Sequence, residues 1–571
     1  MNIRLIEEPR EEPREDAHQH AARAAALAAL DAIALPEPLA TVGYRSAGNT
    51  LVIGAARDAL PWADRLGAAL PVTVLLLDDD DMAEAPPLRI YPVLPAHALV
   101  LTGWLGAFHA TWQARGHAPQ QGTFDLVLDL GAAPQIATHQ RPHGYQAPGL
   151  DEAARTAAAD ALLDLVGEFE KPKYFAYKER LCAHGRNGRT GCTACIDICS
   201  AGAIAPAGDL VKVNPYLCAG CGVCATVCPS GAMSYAFPTA PHTGTRIKTL
   251  LRTWFDAGAA ARPVVLLHGA PGGALLAGLG DALPAGVLPV PLHHAASSGI
   301  DLWLAALAWG AGGVAVLMTD AEAPQYVAAL DAQMAVAQAI LAGLGYGGTH
   351  LHLLRADSDA ALAAALAGLA GIDAADAAQG PAARAGFNVA VDKRNTLDYA
   401  LDHLVREAPP QPSGLPDAIA LPPASPFGAL AVDKAACSLC MACVGACPSA
   451  ALQDGQNAPL LRFIEKNCVQ CGLCADTCPE DAIRLVPRLL LTEERKQPVV
   501  LNETQPFHCI RCDKPFGTLR MVESMLGRLA AHPAFAGHLD RLRMCGDCRV
   551  VDMMLPKDEV KVGEATELKR R

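Results

Sequence analysis

Basic side chains are in short supply. Lys and Arg total 46 against 59 Asp and Glu, a formal net charge of −13 over 571 residues. Phosphate binding needs a concentrated basic surface, so this balance argues against nucleic acid as a partner. An acidic surface favours solubility and steers the protein toward a basic partner. Aromatics are scarce at 5%, while 51% of residues are apolar, so any core is built from Ala, Gly and aliphatic side chains. The opening stretch MNIRLIEEPREEPRED is acidic where a secretory signal is basic, and it holds no twin-arginine pair. The uncharged run 302–319, LWLAALAWGAGGVAVLMT, has the length of a membrane span. Its Gly310-Ala311-Gly312-Gly313 centre predicts a helix, a turn and a buried strand instead. The expectation is a protein without a membrane span, resident in the cytoplasm. At this length it should hold three to five domains.

Twenty cysteines stand out against that composition. Cytoplasmic thiols are kept reduced, so they read as metal ligands and not as disulfides. Eight lie between 182 and 228, eight between 437 and 478, and four between 509 and 548, with none left over. Three runs follow C-x2-C-x2-C-x3-C-P: Cys218, Cys221, Cys224 and Cys228; Cys437, Cys440, Cys443 and Cys447; Cys468, Cys471, Cys474 and Cys478. Three thiolates two residues apart let a tight loop wrap one face of a cubane, with backbone N–H groups aimed at its sulfurs. Zinc sites use two separated C-x2-C pairs and have no need of the extra cysteines.

A fourth run, LCAHGRNGRTGCTACIDICS, is irregular. Each run continues x-x-x-Ala and an apolar residue after its last cysteine: Ala203-Ile204, Ala232-Met233, Ala451-Leu452 and Ala482-Ile483. Cys192, Cys195 and Cys199 are then the second, third and fourth cysteines, and Ser200, a good helix opener, replaces the proline. The first ligand would fall at Arg189, which cannot serve. Cys182 is reachable through a polar loop with three glycines, at small closure cost. The rival is a [3Fe-4S] cluster on Cys192, Cys195 and Cys228. His184 is a further candidate ligand, read here as a solvated loop residue.

These segments resemble bacterial-type two-cluster ferredoxins, present twice. The resemblance implies a compact α+β fold with a pseudo-twofold axis and a cross-over of ligands in each module. One cluster would take Cys182, Cys192, Cys195 and Cys228, and its neighbour Cys218, Cys221, Cys224 and Cys199. In the second module the sets would be Cys437, Cys440, Cys443 and Cys478, and Cys468, Cys471, Cys474 and Cys447. Four [4Fe-4S] clusters follow, one of them [3Fe-4S] if Cys182 is not a ligand.

The last four cysteines, Cys509, Cys512, Cys545 and Cys548, form two C-x2-C knuckles around a predicted helix, GTLRMVESMLGRLAAH. They read as a zinc-ribbon-like site of four cysteines; a single iron or a fifth cubane fits the same four sulfurs. His508 is read as packing. Arg541, Arg543 and Arg549 are read as a solvated face, or as a dock for an acidic partner.

The remainder alternates strands and helices, which predicts parallel α/β sheets. TLVIGA, VTVLLLD and FDLVLDL are strands of one domain; PVVLLHG, GVLPVPL, GVAVLMT and THLHLLR are strands of another. NTLVIGAARDA lacks G-x-G-x-x-G, so a dinucleotide site is poorly supported there, and a flavin has no motif behind it. The Asp78–Asp81 run is read as a loop. Gly269, Gly272 and Gly273 read as a turn before they read as a phosphate cradle, and His293 and His294 as structural. GIDLWLAALAWGAGGVAVL resembles, loosely, a stretch of the delta subunit of methyl-viologen-reducing hydrogenases.

The fold class is thus α/β and α+β multidomain. Its predicted parts are an acidic leader and Ala-rich helix (1–40, with 1–18 unstructured), an α/β domain (41–175) and a dicluster module (176–240). A second α/β domain (241–385), a Pro-rich linker (386–427), a second dicluster module (428–490) and the zinc-ribbon-like tail (491–571) follow. The expected function is a soluble relay of single electrons between a donor and an acceptor redox protein, of formate dehydrogenase or hydrogenase type. No acid–base catalytic residue is expected. Two alternatives stand beside it: an iron–sulfur subunit of a flavin- or nucleotide-dependent oxidoreductase, and a maturation factor for a formate dehydrogenase or hydrogenase.

Overall fold

The structure, a computed structural model, describes residues 12–77, 89–114, 118–370, 380–423, 425–456, 458–532 and 538–554. Asp78–Asp81 lie outside the described residues. The chain divides into two compact units: Met1–His184 with Thr193–Pro416, and Gly185–Cys192 with Asp417–Arg571.

In the first unit, strands β1 (Thr50–Gly54), β2 (Val72–Leu76), β3 (Val93–Pro95), β4 (Leu126–Asp129) and β5 (Tyr145–Gln146) form a parallel sheet in the order β3-β2-β1-β4-β5. The continuous apolar runs read from the sequence are strands buried on both faces. Val52, Val74 and Leu128 pack with Trp62 and Leu66 of helix Ala56–Leu66 and with Leu162 of helix Glu152–Leu163. Leu51, Ile53 and Leu75 pack with Phe108, Trp112 and Phe124 of an antiparallel sheet. Helix Glu12–Asp31 packs on helix Ala240–Asp256, burying Ala22, Ala26 and Leu30 at a four-residue period. Residues 12–18, expected to be unstructured, belong to that helix; residues 1–11 lie outside the described residues.

A second sheet contains β6 (Val264–His268), β7 (Val287–Pro291), β8 (Gly313–Met318) and β9 (Leu351–Arg355), all parallel, in the order β7-β6-β8-β9. The uncharged run at 302–319 resolves into a wholly buried helix, Ile300–Ala308, and strand β8, as its glycines predicted. Among the described residues one helix, Pro324–Gly343, is long and apolar enough to cross a membrane. Tyr326, Leu330, Ile340 and Leu341 on it are buried within the protein. The expected linker 386–427 is partly structured. Residues Lys393–Arg406 form a helix capped by Asp392, with Leu397, Leu401 and Leu404 packed inside. Its apolar positions recur at helical spacing, a period that the flanking prolines obscured.

The second unit is built from short strands: Leu452–Gly455, Ala458–Phe463 and Val499–Glu503 form one antiparallel sheet, and Ala418–Ala420, Ile483–Leu490 and Gly428–Val432 another. The stretch Gly185–Cys192, expected within the first dicluster module, belongs to this unit. It forms a hairpin with Gly185 opposite Thr190. Its turn is Asn187-Gly188, both at positive φ (53° and 75°), the pairing that a two-residue hairpin turn requires. Arg189 and Thr190 line one cavity with Ala475 and Asp476 of helix Leu473–Asp476.

Candidate iron–sulfur and metal centres

One hydrogen bond recurs four times, always from the residue four places before a leading cysteine. Asn214 N–H, ahead of Cys218, donates to the Ala203 carbonyl at 2.7 Å. Lys178 N–H, ahead of Cys182, donates to Ala232 at 2.8 Å. Asp433 N–H, ahead of Cys437, donates to Ala482, and Ile464 N–H, ahead of Cys468, to Ala451, both at 2.8 Å. Each accepting alanine is the Ala of an x-x-x-Ala tail, four residues after Cys199, Cys228, Cys478 and Cys447 respectively. The bond therefore pins each leading cysteine to the last cysteine of the companion run. Cys182 also shares the local geometry of Cys468: each ends a 3-10 turn (Glu179–Leu181, Glu465–Asn467) with φ −68° and donates its N–H to the first glutamate at 3.0 Å.

The three regular loops share a backbone. Gly220 and Gly222, Leu439 and Met441, and Gln470 and Gly472 all have positive φ, at the same two places relative to their cysteines. For the non-glycine members this costs on the order of 1–2 kcal/mol each, so the surrounding packing over-determines the loop shape.

In the first unit, Cys199, Cys218, Cys221 and Cys224 line one largely apolar cavity. Burial pushes the Cys221 thiol up to about 11, and burial with the nearby thiols Cys221, Cys218, Cys199 and Cys195 raises Cys224 well above its ordinary value. Cys182, Cys195 and Cys228 share an apolar cluster with Phe175, Ile204 and Met233, and Tyr177 lies against Cys182 and Cys195. His184 is buried at 5% exposure, contrary to the solvated residue expected, because the chain from Cys182 to Gly185 runs buried and not over the surface. Backbone N–H groups reach the crossing sulfurs: Ala203 to Cys199 at 3.2 Å and Met233 to Cys228 at 3.4 Å.

In the second unit, Cys437, Cys440, Cys443 and Cys478 line one cavity. Burial, then the neighbouring thiols Cys437, Cys440 and Cys478, push Cys443 up to about 12. Cys474 is raised by burial and by Cys468, Cys471, Cys443 and Cys447. Burial raises Cys471 to about 11, with Cys468, Cys447 and also Cys192 adding to the shift. Ala482 N–H donates to Cys478 at 3.4 Å, and the Gln470 amide to Cys468 at 3.3 Å.

These thiols are held together in buried surroundings, where each opposes the ionisation of the next. An iron–sulfur core, cationic and thiophilic, relieves both penalties, so the residues present fit such a group.

Three polar side chains missed in the sequence reach the first-unit loops. Tyr326 Oη donates to Cys221 Sγ at 3.3 Å and bonds Ser200 Oγ. Lys171 Nζ donates to the Tyr216 and Cys218 carbonyls at 2.9 and 2.7 Å, and burial lowers it to about 8. Lys393 Nζ donates to the Ala225 and Thr226 carbonyls at 3.1 and 2.5 Å. The serine at the place of a motif proline was the one local sign of this network.

The side-chain sulfurs of Cys509, Cys512, Cys545 and Cys548 lie within 4.8 Å of one another, a group able to hold a metal ion. Burial pushes the Cys509 thiol up, but backbone N–H groups of Cys545, Arg511 and Cys512 more than reverse it. The predicted helix between the knuckles is Leu519–Leu529. His508 Nδ1 pairs with the Asp513 carbonyl at 2.8 Å. Arg541 pairs with Asp552 at 2.6 Å, and Arg549 bonds the Arg541 and Met544 carbonyls, so these two are tied into the tail. His293 stacks on Tyr174, and His294 Nδ1 accepts from Ala296 N–H at 3.1 Å. Gly269 is the extended N-cap of helix Ala270–Leu279, and Gly272 and Gly273 lie within that helix and not in the turn expected.

Residues 436–483 match the family model of the 4Fe-4S dicluster domain, and residues 210–233 that of the 4Fe-4S binding domain. No curated protein matches the chain. The chain thus carries two ferredoxin-type iron–sulfur binding domains within a mixed α/β architecture.

Proposed function

We propose that the protein relays single electrons through four [4Fe-4S] clusters, two in each dicluster module, between redox-protein partners. The repeated hydrogen bond from four residues before each leading cysteine to the companion alanine carries this reading, because it recurs at Cys182 as at the three regular runs. It supports the crossing in each module: Cys182 with Cys228, Cys218 with Cys199, Cys437 with Cys478, and Cys468 with Cys447. When bound, such a cluster takes up and releases one electron with little rearrangement. The chain's part is to hold the thiolates, aim N–H groups at the sulfurs and keep water out with residues such as Ile204, Met233, Leu439 and Phe463, all buried. The four-cysteine site at Cys509, Cys512, Cys545 and Cys548 takes a structural zinc in this reading, since four sulfurs leave no open position for chemistry. A cytoplasmic protein with donor and acceptor of formate dehydrogenase or hydrogenase type fits these parts.

One observation favours a second reading, a nucleotide- or flavin-dependent subunit. The first sheet has the strand order 3-2-1-4-5 in chain sequence, shared with dinucleotide-binding folds. The second sheet does not add to it. Segments beyond the carboxyl ends of β7 and β8, where ligands settle in open parallel sheets, are engaged by the first dicluster module. Thr226 Oγ1 donates to the Ala296 carbonyl at 2.8 Å, and Tyr326 meets Cys221.

Metal analysis and EPR of anaerobically purified protein, oxidised and dithionite-reduced, test the proposal. About 16 irons and one zinc are expected from the ligand sets. About 12 irons, or about 15 with a three-iron signal in the oxidised state, would remove Cys182 from the ligands. A yellow chromophore released on acid treatment would favour the second reading.

A further inference from the structure

Tyr326 belongs to helix Pro324–Gly343 of the second α/β domain, more than a hundred residues from the loop it touches. Its ring is fully buried, at 0% exposure. Three groups surround its hydroxyl: Ser200 Oγ, Cys221 Sγ at 3.3 Å and Gln140 Oε1 at 3.4 Å. A phenol has one proton to donate. A cysteine sulfur bound to iron can only accept, and it carries charge, which makes it a stronger acceptor than the Gln140 amide. The Ser200 hydroxyl then donates to the phenol oxygen and fixes the direction of the relay, Ser200 to Tyr326 to Cys221. A proline at 200, as in the other three runs, would have no hydroxyl to offer.

Positive charge lies on the same loops. Lys171 Nζ sits on the carbonyl of Cys218, and Lys393 Nζ on those of Ala225, Thr226 and Cys228. Hydrogen bonds and positive charge near cluster sulfurs stabilise the more negative, reduced state and raise the reduction potential.

We propose that Tyr326 is a redox-tuning residue: its hydroxyl raises the potential of the cluster held by Cys199, Cys218, Cys221 and Cys224, so that an electron entering the first module comes to rest there. The inference rests on the ligand set proposed above. One electron arrives from the donor, the cluster core gains it, and no proton moves, the phenol keeping its hydrogen throughout. Lys171 and Lys393 act in the same direction through charge.

An EPR-monitored redox titration of the full-length, cluster-loaded protein, with dithionite as reductant, tests this in Tyr326→Phe, Ser200→Ala and Tyr346→Phe. Tyr346 is also buried, but its hydroxyl bonds the Leu404 carbonyl, so its variant controls for loss of a core hydroxyl. In Tyr326→Phe the reduction equilibrium of one cluster should fall about tenfold, a shift of about 59 mV to lower potential for one electron. Ser200→Ala should shift the same cluster in the same direction by less, and Tyr346→Phe should shift none. Unchanged midpoints in Tyr326→Phe with full iron content would overturn the inference. So would equal shifts in all three variants, which would mark a general packing effect. Wild-type protein lacking this cluster by iron analysis would instead overturn the ligand assignment on which the inference rests.

Discussion

Arg488 and Glu465 form a two-pronged ion pair in the second unit: Nε meets Oε1 at 3.1 Å and Nη2 meets Oε2 at 2.7 Å. Glu465 opens the 3-10 turn that ends at Cys468, and Arg488 lies on strand Ile483–Leu490, so the pair ties the turn to the sheet. The Glu465 side chain is only 7% exposed. Glu465→Ala strands the partly exposed guanidinium and should cost about 1–3 kcal/mol of stability. Denaturant titration measures that loss; iron analysis should show depletion at the Cys468-led site before any other. A variant as stable as the parent, with full iron, would show that the pair does not brace the turn.

Gly222 and Gly472 hold equivalent places after Cys221 and Cys471, with φ of 76° and 84°. A Cβ on Gly222 would meet Ser297 Cβ at 2.7 Å, whereas one on Gly472 meets nothing nearer than Asp476 at 3.9 Å. Gly472→Ala should therefore cost only the dihedral penalty, about 1–2 kcal/mol, and keep its iron. Gly222→Ala should lose iron from the Cys221-containing site, and adding Ser297→Gly should restore part of it. Equal iron retention in the two single variants would contradict this.

Replacing Cys182 with Ala should alter one cluster and leave three intact. The expected product is either loss of about four irons or loss of one iron with a three-iron EPR signal when oxidised. Four unchanged spectra would show that Cys182 is not a ligand, despite its match to Cys468.

Burial lowers His294 to about 4, with His293 adding a little. Burial lowers His143, His242, His268, His293 and His352 as well. An unfolded chain takes up a proton at each near pH 6.5. Below that pH the unfolded state binds more protons, so stability is full above about 6.5 and falls as pH drops toward 4. His294→Asn keeps an acceptor for Ala296 N–H and removes one proton from this balance. Its unfolding free energy, from denaturant titration, should fall less steeply between pH 7 and 5 than that of the parent, by at most about 1.4 kcal/mol per pH unit. Parallel slopes would show that His294 is not buried neutral.

Much of this architecture was legible because the signals are local. The spacing of Cys437, Cys440, Cys443 and Cys447 needs no tertiary context, and doubly buried strands such as Thr50–Gly54 and Gly313–Met318 announce themselves as unbroken apolar runs. What stayed hidden depends on distant partners. The Ala-rich helix was expected, but not its start at Glu12, inside the stretch read as unstructured; Glu12–Asp31 has weak amphipathic contrast and packs on helix Ala240–Asp256. The hairpin Gly185–Thr190 carries a clear Asn-Gly turn, but nothing in its sequence says which unit it joins. Tyr326 looked like an ordinary helix residue and Lys393 like part of a linker, because a single long-range donor has no periodicity to betray it.

The replacement of a motif proline by Ser200 also bears on modularity. Ser200, Gly222 and Thr226 each meet the neighbouring sheet domain, at Tyr326, Ser297 and Ala296. A ferredoxin segment committed to its neighbours in this way is no portable cassette. Cutting it out would expose the surface that the domain covers, and grafting it elsewhere would strand a hydroxyl that here has a purpose.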